Sequence, residues 1–166
     1  MIESLATALL LGGINTVYDF VWPQLKLGGP GGSTRIMLMC FVVGVLVGAR
    51  AREVMIGAIG GLLISVGVLA SYQYLLQTGA GYQLYVPWAI FWVSFALLDG
   101  LLNRDRRIYF AVLQGLAAAL GAGAAYYAFA SVWNHTSRIE ATYLITLVAW
   151  TTTFAPGFLI LFWHRS

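Results

Sequence analysis

Charge is what this chain has least of. Only 9% of its 166 residues are Asp, Glu, Lys or Arg, against about 25% in soluble domains. With 60% hydrophobic residues, no soluble core could hide so much apolar surface, so the bilayer must serve as solvent for most of the chain. Cysteine is nearly missing too. Cys40 stands alone, which excludes an internal disulfide, a CxxC redox pair and a cysteine cluster for zinc or iron–sulfur. Its place in an apolar run fits a small buried hydrophobe. The two histidines, His135 and His164, fall at the ends of apolar runs on opposite sides of the expected membrane, so they cannot share a haem or a metal ion.

The remaining absences bear on catalysis. The few acidic residues are scattered, no glycine-rich loop follows a strand to cradle phosphate, and no Ser–His–Asp set shares one depth. A non-enzyme with no cofactor and no metal is expected. The net charge of +3 sits in loops rather than in a continuous basic face, which argues against nucleic-acid binding. The N-terminal Met1-Ile2-Glu3-Ser4 has neither the basic region nor the small-residue cleavage site of a signal peptide. The first apolar run therefore reads as a retained membrane helix.

Six runs approach the roughly 20 apolar residues that cross a bilayer. Their approximate limits are 5–22, 36–49, 54–76, 84–102, 109–132 and 142–163. The expected fold is thus an all-α integral membrane protein, one six-helix domain covering 1–166. Pro23 is expected to close the first helix, and Gly28-Gly29-Pro30-Gly31-Gly32 to form a non-helical loop. Pro87 falls in a first helical turn, where its missing N–H costs little, whereas Pro156 lies inside the sixth run and should kink it.

Two charged clasps, Arg50-Ala51-Arg52-Glu53 and Arg104-Asp105-Arg106-Arg107, separate apolar runs and hold five of the nine basic residues. Loops rich in Lys and Arg stay cytoplasmic. With both termini inside, the inner side carries Arg50, Arg52, Arg104, Arg106, Arg107 and Arg165, and the outer side only Lys26, Arg35 and Arg138. That asymmetry favours both termini inside. Trp22, Trp133, Trp163, Tyr82 and Tyr85 then lie near helix ends, where amphipathic rings prefer the interface. A multi-pass protein of a bacterial inner membrane or its equivalent is expected.

An offset of 54 residues relates Gly13 to Gly67 to Gly121, Tyr18 to Tyr72 to Tyr126, and Arg50 and Arg52 to Arg104 and Arg106. The chain reads as three tandem helical hairpins whose odd helices are equivalent packing elements, their glycines permitting close approach. Chance matching in so apolar a chain is the competing account. Gly and Ala runs such as Ala117-Ala118-Ala119 also suit packing between protomers, and a homo-oligomer is expected.

Polar groups inside hydrocarbon are costly, so they are the places to look for function. Asn15 and Asp19 share one helical face, as do Gln73 and Gln77, with Tyr72 and Tyr74 nearby. Gln83 opens the fourth run, Asp99 lies in its inner half, Gln114 is in the fifth, and Thr151-Thr152-Thr153 is in the sixth. One pocket in the outer half could hold both pairs; alternatively, these residues make interfacial or interhelical hydrogen bonds. Asp99 either meets a proton or a ligand head group, or pairs with Arg50, Arg52 or Arg104 at the inner rim.

The order of features resembles the Insig (insulin-induced gene) family of six-helix membrane proteins. The resemblance rests on Leu102-Asn103-Arg104-Asp105-Arg106-Arg107 after the fourth run, on Gln83-Leu84 before it, and on Arg52-Glu53 before the third. It implies cytoplasmic termini and a non-catalytic protein that binds a sterol or other lipid between its helices and regulates membrane partners. It also points to Gln83, Trp92 and Asp99 as lining that lipid. The chain departs from the family where the acid would directly abut the arginine, since Asn103 stands there, and where a long loop between the second and third helices is reduced to residues 50–53. The expected ligand is a diacyl lipid or sterol-like molecule, held by Asp19, Tyr72, Gln73, Gln77, Gln83, Trp92 and Asp99. Rival readings are a small transporter, or its substrate-binding subunit, and a structural subunit of a larger membrane complex.

Overall fold

The computed structural model describes residues 1–25, 31–79, 85–103, 107–135 and 142–163. Gln83, Tyr82, residues 104–106 of the second clasp, His164 and the loop cations Lys26, Arg138 and Arg165 lie outside them. Six helices follow in order: α1 (Ile2–Leu25), α2 (Gly31–Arg50), α3 (Val54–Thr78), α4 (Tyr85–Asn103), α5 (Ile108–His135) and α6 (Tyr143–Leu161). No strand occurs among the described residues. Each helix is long and apolar enough to span a membrane; the shortest, at 19 residues, reaches about 28 Å at 1.5 Å per residue, close to the hydrocarbon thickness.

Two expected boundaries move. Gly31 and Gly32 open α2 instead of belonging to a loop. The physical reason is length: residues 36–49 would span only about 21 Å, and recruiting the preceding turn brings the helix to about 30 Å. Pro23 does not close α1, which runs on to Leu25. A proline removes one backbone donor and crowds the carbonyl four residues back, and here the helix outlasts it by two residues. Pro156 lies within α6, leaving the Thr152 carbonyl without its usual donor.

The chain divides into two compact units, residues 30–119 and residues 1–29 with 120–166. In the first unit, α2 and α3 form the most extensive helix pair. Cys40, Gly44 and Gly48 recur every four residues on α2, and Gly57, Gly61 and Ser65 do so on α3, giving each helix one stripe of small residues. All six are buried. A Cβ at Gly48 would lie 2.9 Å from Gly57 Cα, and one at Gly44 would lie 2.8 Å from Gly61 Cα. Only hydrogen leaves room for backbones this close. Ser65 donates to Leu62 O at 2.6 Å, so its hydroxyl is satisfied by its own helix.

The first charged clasp is the turn of this hairpin. Glu53 N donates to Gly48 O at 2.8 Å and Arg52 N to Ala49 O at 3.2 Å, while Arg52 adopts a left-handed φ of 61°. This is a Schellman closure with arginine in the position usually taken by glycine. Against α3 lies α4, whose Leu98 methyls fit over Gly60 at 2.9–3.0 Å from a Cβ built there. The buried face of α4 carries Phe91, Trp92, Phe95, Ala96, Asp99 and Gly100. Gly115 of α5 packs onto it, with a built Cβ 2.5 Å from Val93 Cα.

In the second unit α1 and α6 run antiparallel. Ser4, Ala8, Gly12 and Thr16 form another four-residue stripe of small residues, all buried. Gly12 is the point of closest approach: a Cβ there would collide with Thr151 Oγ1 and lie 3.0 Å from Thr151 N. Thr142 caps α6 by accepting from Ile145 N at 3.3 Å. Trp150, Phe154, Phe158 and Phe162 then follow one another as a ladder of rings, with centroids 6.0, 6.4 and 5.7 Å apart, because residues four apart share a helical face.

The glycines of the 54-residue offset are not equivalent packing elements. A Cβ at Gly13 or Gly67 meets nothing within 4 Å, whereas one at Gly121 lies 3.0 Å from Ile160 Cδ1 and 3.4 Å from Pro156 Cβ. Close approach instead falls to glycines outside that series, chiefly Gly12, Gly44, Gly48, Gly57, Gly61 and Gly115.

Candidate functional site

The described cleft lies in the second unit, between the later turns of α5 and the first half of α6. It is an open groove of about 360 Å³, lined by Tyr126, Phe129 and Ala130 from α5, and by Thr146, Ala149, Trp150 and Thr153 from α6. Its origin is local. Gly121 seats α5 against Pro156 and Ile160, and beyond that contact the facing residues include two alanines, Ala130 and Ala149, too short to fill the space between larger neighbours.

Trp150 is the fixed wall. Its indole Nε1 donates to Asp19 Oδ2 at 2.7 Å, and its ring stacks on Phe154 at 6.0 Å. Side chains on a helix lean toward that helix's own N-terminus. Since α1 and α6 are antiparallel, Asp19 and Trp150 lean toward each other and meet although their Cα atoms are at different levels. A second brace lies nearer the helix ends, where Phe20 and Tyr143 stack at 4.0 Å.

The three threonines of α6 point in three directions. Thr151 faces Gly12 of α1, with its Oγ1 buried and without a hydrogen-bond partner. Thr152 is exposed and returns its hydroxyl to Val148 O at 2.8 Å. Thr153 is buried, lines the cleft and donates to Ala149 O at 2.9 Å. Most of the wall is apolar, with Thr146 and Tyr126 contributing the remaining hydroxyls. That composition suits a ligand with a long apolar part and a small polar one.

Among the described residues expected to bind a ligand, Asp19 reaches this cleft through its bond to Trp150. Asn15, on the same helical face, is fully buried and donates to Leu11 O at 2.8 Å. Tyr72 is half-buried on α3, and Gln73 and Gln77 are exposed there, in the other unit. Gln83 falls outside the described residues. Trp92 is fully buried within the aromatic ladder of α4, 5.2 Å from Phe91 and 5.8 Å from Trp88. Asp99 is also buried, and Asn103 donates to its Oδ1 at 3.0 Å and to its main-chain O at 2.7 Å. Trp92 and Asp99 thus share the buried face of α4, two turns apart.

Trp150, Phe129 and Thr146 were not among the expected site residues. One signal was available: Trp150 lies eight residues into a membrane run rather than at its end, and an indole N–H in hydrocarbon requires an acceptor. No group of three or more metal-ligating side chains occurs among the described residues. Comparison with protein-family models, curated proteins and solved structures found no match to this chain.

Proposed function

We propose that this multi-pass membrane protein is a non-catalytic binder of a lipid or sterol-like amphiphile, which it holds in the cleft between α5 and α6. The observation that carries the reading is the braced Trp150: an indole inside an apolar run, held at 2.7 Å by a carboxylate from another helix, forming one wall of a mostly apolar cleft of about 360 Å³. That volume falls in the lower part of the range for small-molecule sites, about 300–1,000 Å³. Both termini on the cytoplasmic side, as the arginine distribution favours, would set the cleft in the outer half of the bilayer. Occupancy would then govern membrane partners or the assembly of copies of the chain, the role the Insig resemblance implies.

The test is lipid analysis of protein purified in mild detergent. Ala149→Phe, which fills the cleft, should strip most co-purifying amphiphile, while Asp99→Asn and Trp92→Phe should keep it. The reverse pattern would move the site to α4, where the family resemblance would have it. Solute flux in liposomes without retained lipid would favour the transporter reading, and a stable protein partner without lipid the structural-subunit reading.

A further inference from the structure

The two arginine clasps lie at one end of the unit formed by residues 30–119. Residues 79–84 can bridge at most about 24 Å, too little to carry the chain back along α3, so α3 and α4 are antiparallel. Gly60, early in α3, accordingly takes the methyls of Leu98, late in α4. The α2–α3 turn and the link from α4 to α5 therefore share a level. By sequence that end carries Arg50, Arg52, Arg104, Arg106 and Arg107 against Glu53, Asp105 and, deeper in α4, the buried Asp99. Whichever of these pair, positive charge is in excess. We infer that this end is a binding surface for the head groups of anionic phospholipids of the phosphatidylglycerol class, in the leaflet it faces.

Depth supports the assignment. Arg52 stands two residues before Val54 and Met55, and Arg107 directly before Ile108, Tyr109 and Phe110, all exposed; the last two rings lie 4.0 Å apart. In a spanning helix such side chains face acyl chains, and one turn rises only about 5 Å. The exposed Arg52 and Arg107 are thus at the level of lipid phosphates, whose paired oxygens a guanidinium matches in a fork. Arg52 also holds a left-handed φ of 61°, where glycine would sit without strain. Its bond in the turn, N to Ala49 O, is a backbone bond that glycine would make as well. The turn gives no reason for an arginine, and a charge held at head-group level does.

The experiment is native mass spectrometry of the purified full chain with equimolar dioleoyl phosphatidylglycerol and dioleoyl phosphatidylcholine. Wild-type protein should retain the anionic lipid in about fivefold preference at low salt and lose most of that preference by about 0.5 M salt. Inorganic phosphate should not compete, because it lacks the chains that would lie against the exposed Met55, Leu101 and Ile108. Arg52→Gly suits the left-handed backbone while removing the charge; combined with Arg107→Gln it leaves this end near neutral and should bring the preference close to one without loss of thermal stability. Ala149→Phe, which fills the α5–α6 cleft, should keep the preference, so failure of this surface and failure of the cleft are read separately. Equal retention of the two lipids by the wild type, a preference indifferent to salt, displacement by phosphate, or an unchanged preference in the double variant would overturn the inference. The wild-type measurements need no variant, so a misfolded one would not shield the proposal.

Discussion

The α2–α3 pair and the α1–α6 pair are both antiparallel helices that meet along small residues, yet the first is joined backbone to backbone and the second borders the described cleft. In the α2–α3 pair glycine faces glycine at two successive levels, so the backbones themselves touch there. In the α1–α6 pair Gly12 faces a threonine, and the seam continues through a long-range indole–carboxylate bond to the Phe20–Tyr143 stack. The difference teaches that small residues shape a site chiefly by where they stop. Behind Trp150, α5 touches α6 at Gly121 and the aromatic side chains further along hold the two surfaces apart.

That contrast can be broken most severely at Gly57. Gly57→Val should destabilise the protein by about 3 kcal/mol or more, because its added carbons meet Gly48 Cα, 2.5 Å from a built Cβ, and no side chain can move aside. The measurement is thermal or SDS unfolding of the purified chain; wild-type stability in this variant would contradict the packing described. At Gly12 the expected loss is smaller, about 1–2 kcal/mol for Gly12→Ala, and part of the obstruction is a hydroxyl. Adding Thr151→Ala should therefore recover some of it, with recovery read in the same unfolding assay. An identical loss in the double variant would place the obstruction wholly in the backbone of α6.

The smallest effects belong to Gly13 and Gly67, around which a Cβ has open space. Replacing either by Ala should leave stability unchanged or raise it by about 0.5–1 kcal/mol, since alanine is the better helix former. A marked loss at either position would restore the equivalence that the 54-residue offset suggested.

Much of the fold was legible because hydrocarbon imposes a length. Six apolar runs became six helices with ends displaced by a few residues, and even the largest displacement, the start of α2, follows from the same requirement: residues 36–49 were too few to cross. The packing partners were less legible. Gly44, Gly48, Gly57 and Gly61 were visible as glycines, but spacing of four on each helix does not say which stripe meets which. The offset of 54 pointed to Gly13 and Gly67, which touch nothing within 4 Å.

The site was legible in part for the same reason. Asp19 stood out as a charge in an apolar run, and its partner did not, because Trp150 is apolar by composition and only its N–H demands an acceptor. Asp99 and Trp92 stood out equally and lie on the buried face of α4. Polarity in the membrane marks residues that need partners, and a neighbouring helix can satisfy that need as well as a ligand can.

Taken alone, the order of residues determined the solvent of this protein, the number of its apolar helices and the scarcity of charged chemistry, since each depends on composition over about twenty consecutive positions. Only the tertiary structure decided that α2 closes on α3, that α1 meets α6, and that Trp150 is held beside a cleft. Those outcomes depend on a few ångströms between side chains far apart in sequence, such as Asp19 and Trp150, 131 positions apart, and hydrophobic periodicity has no means of ranking one partner above another.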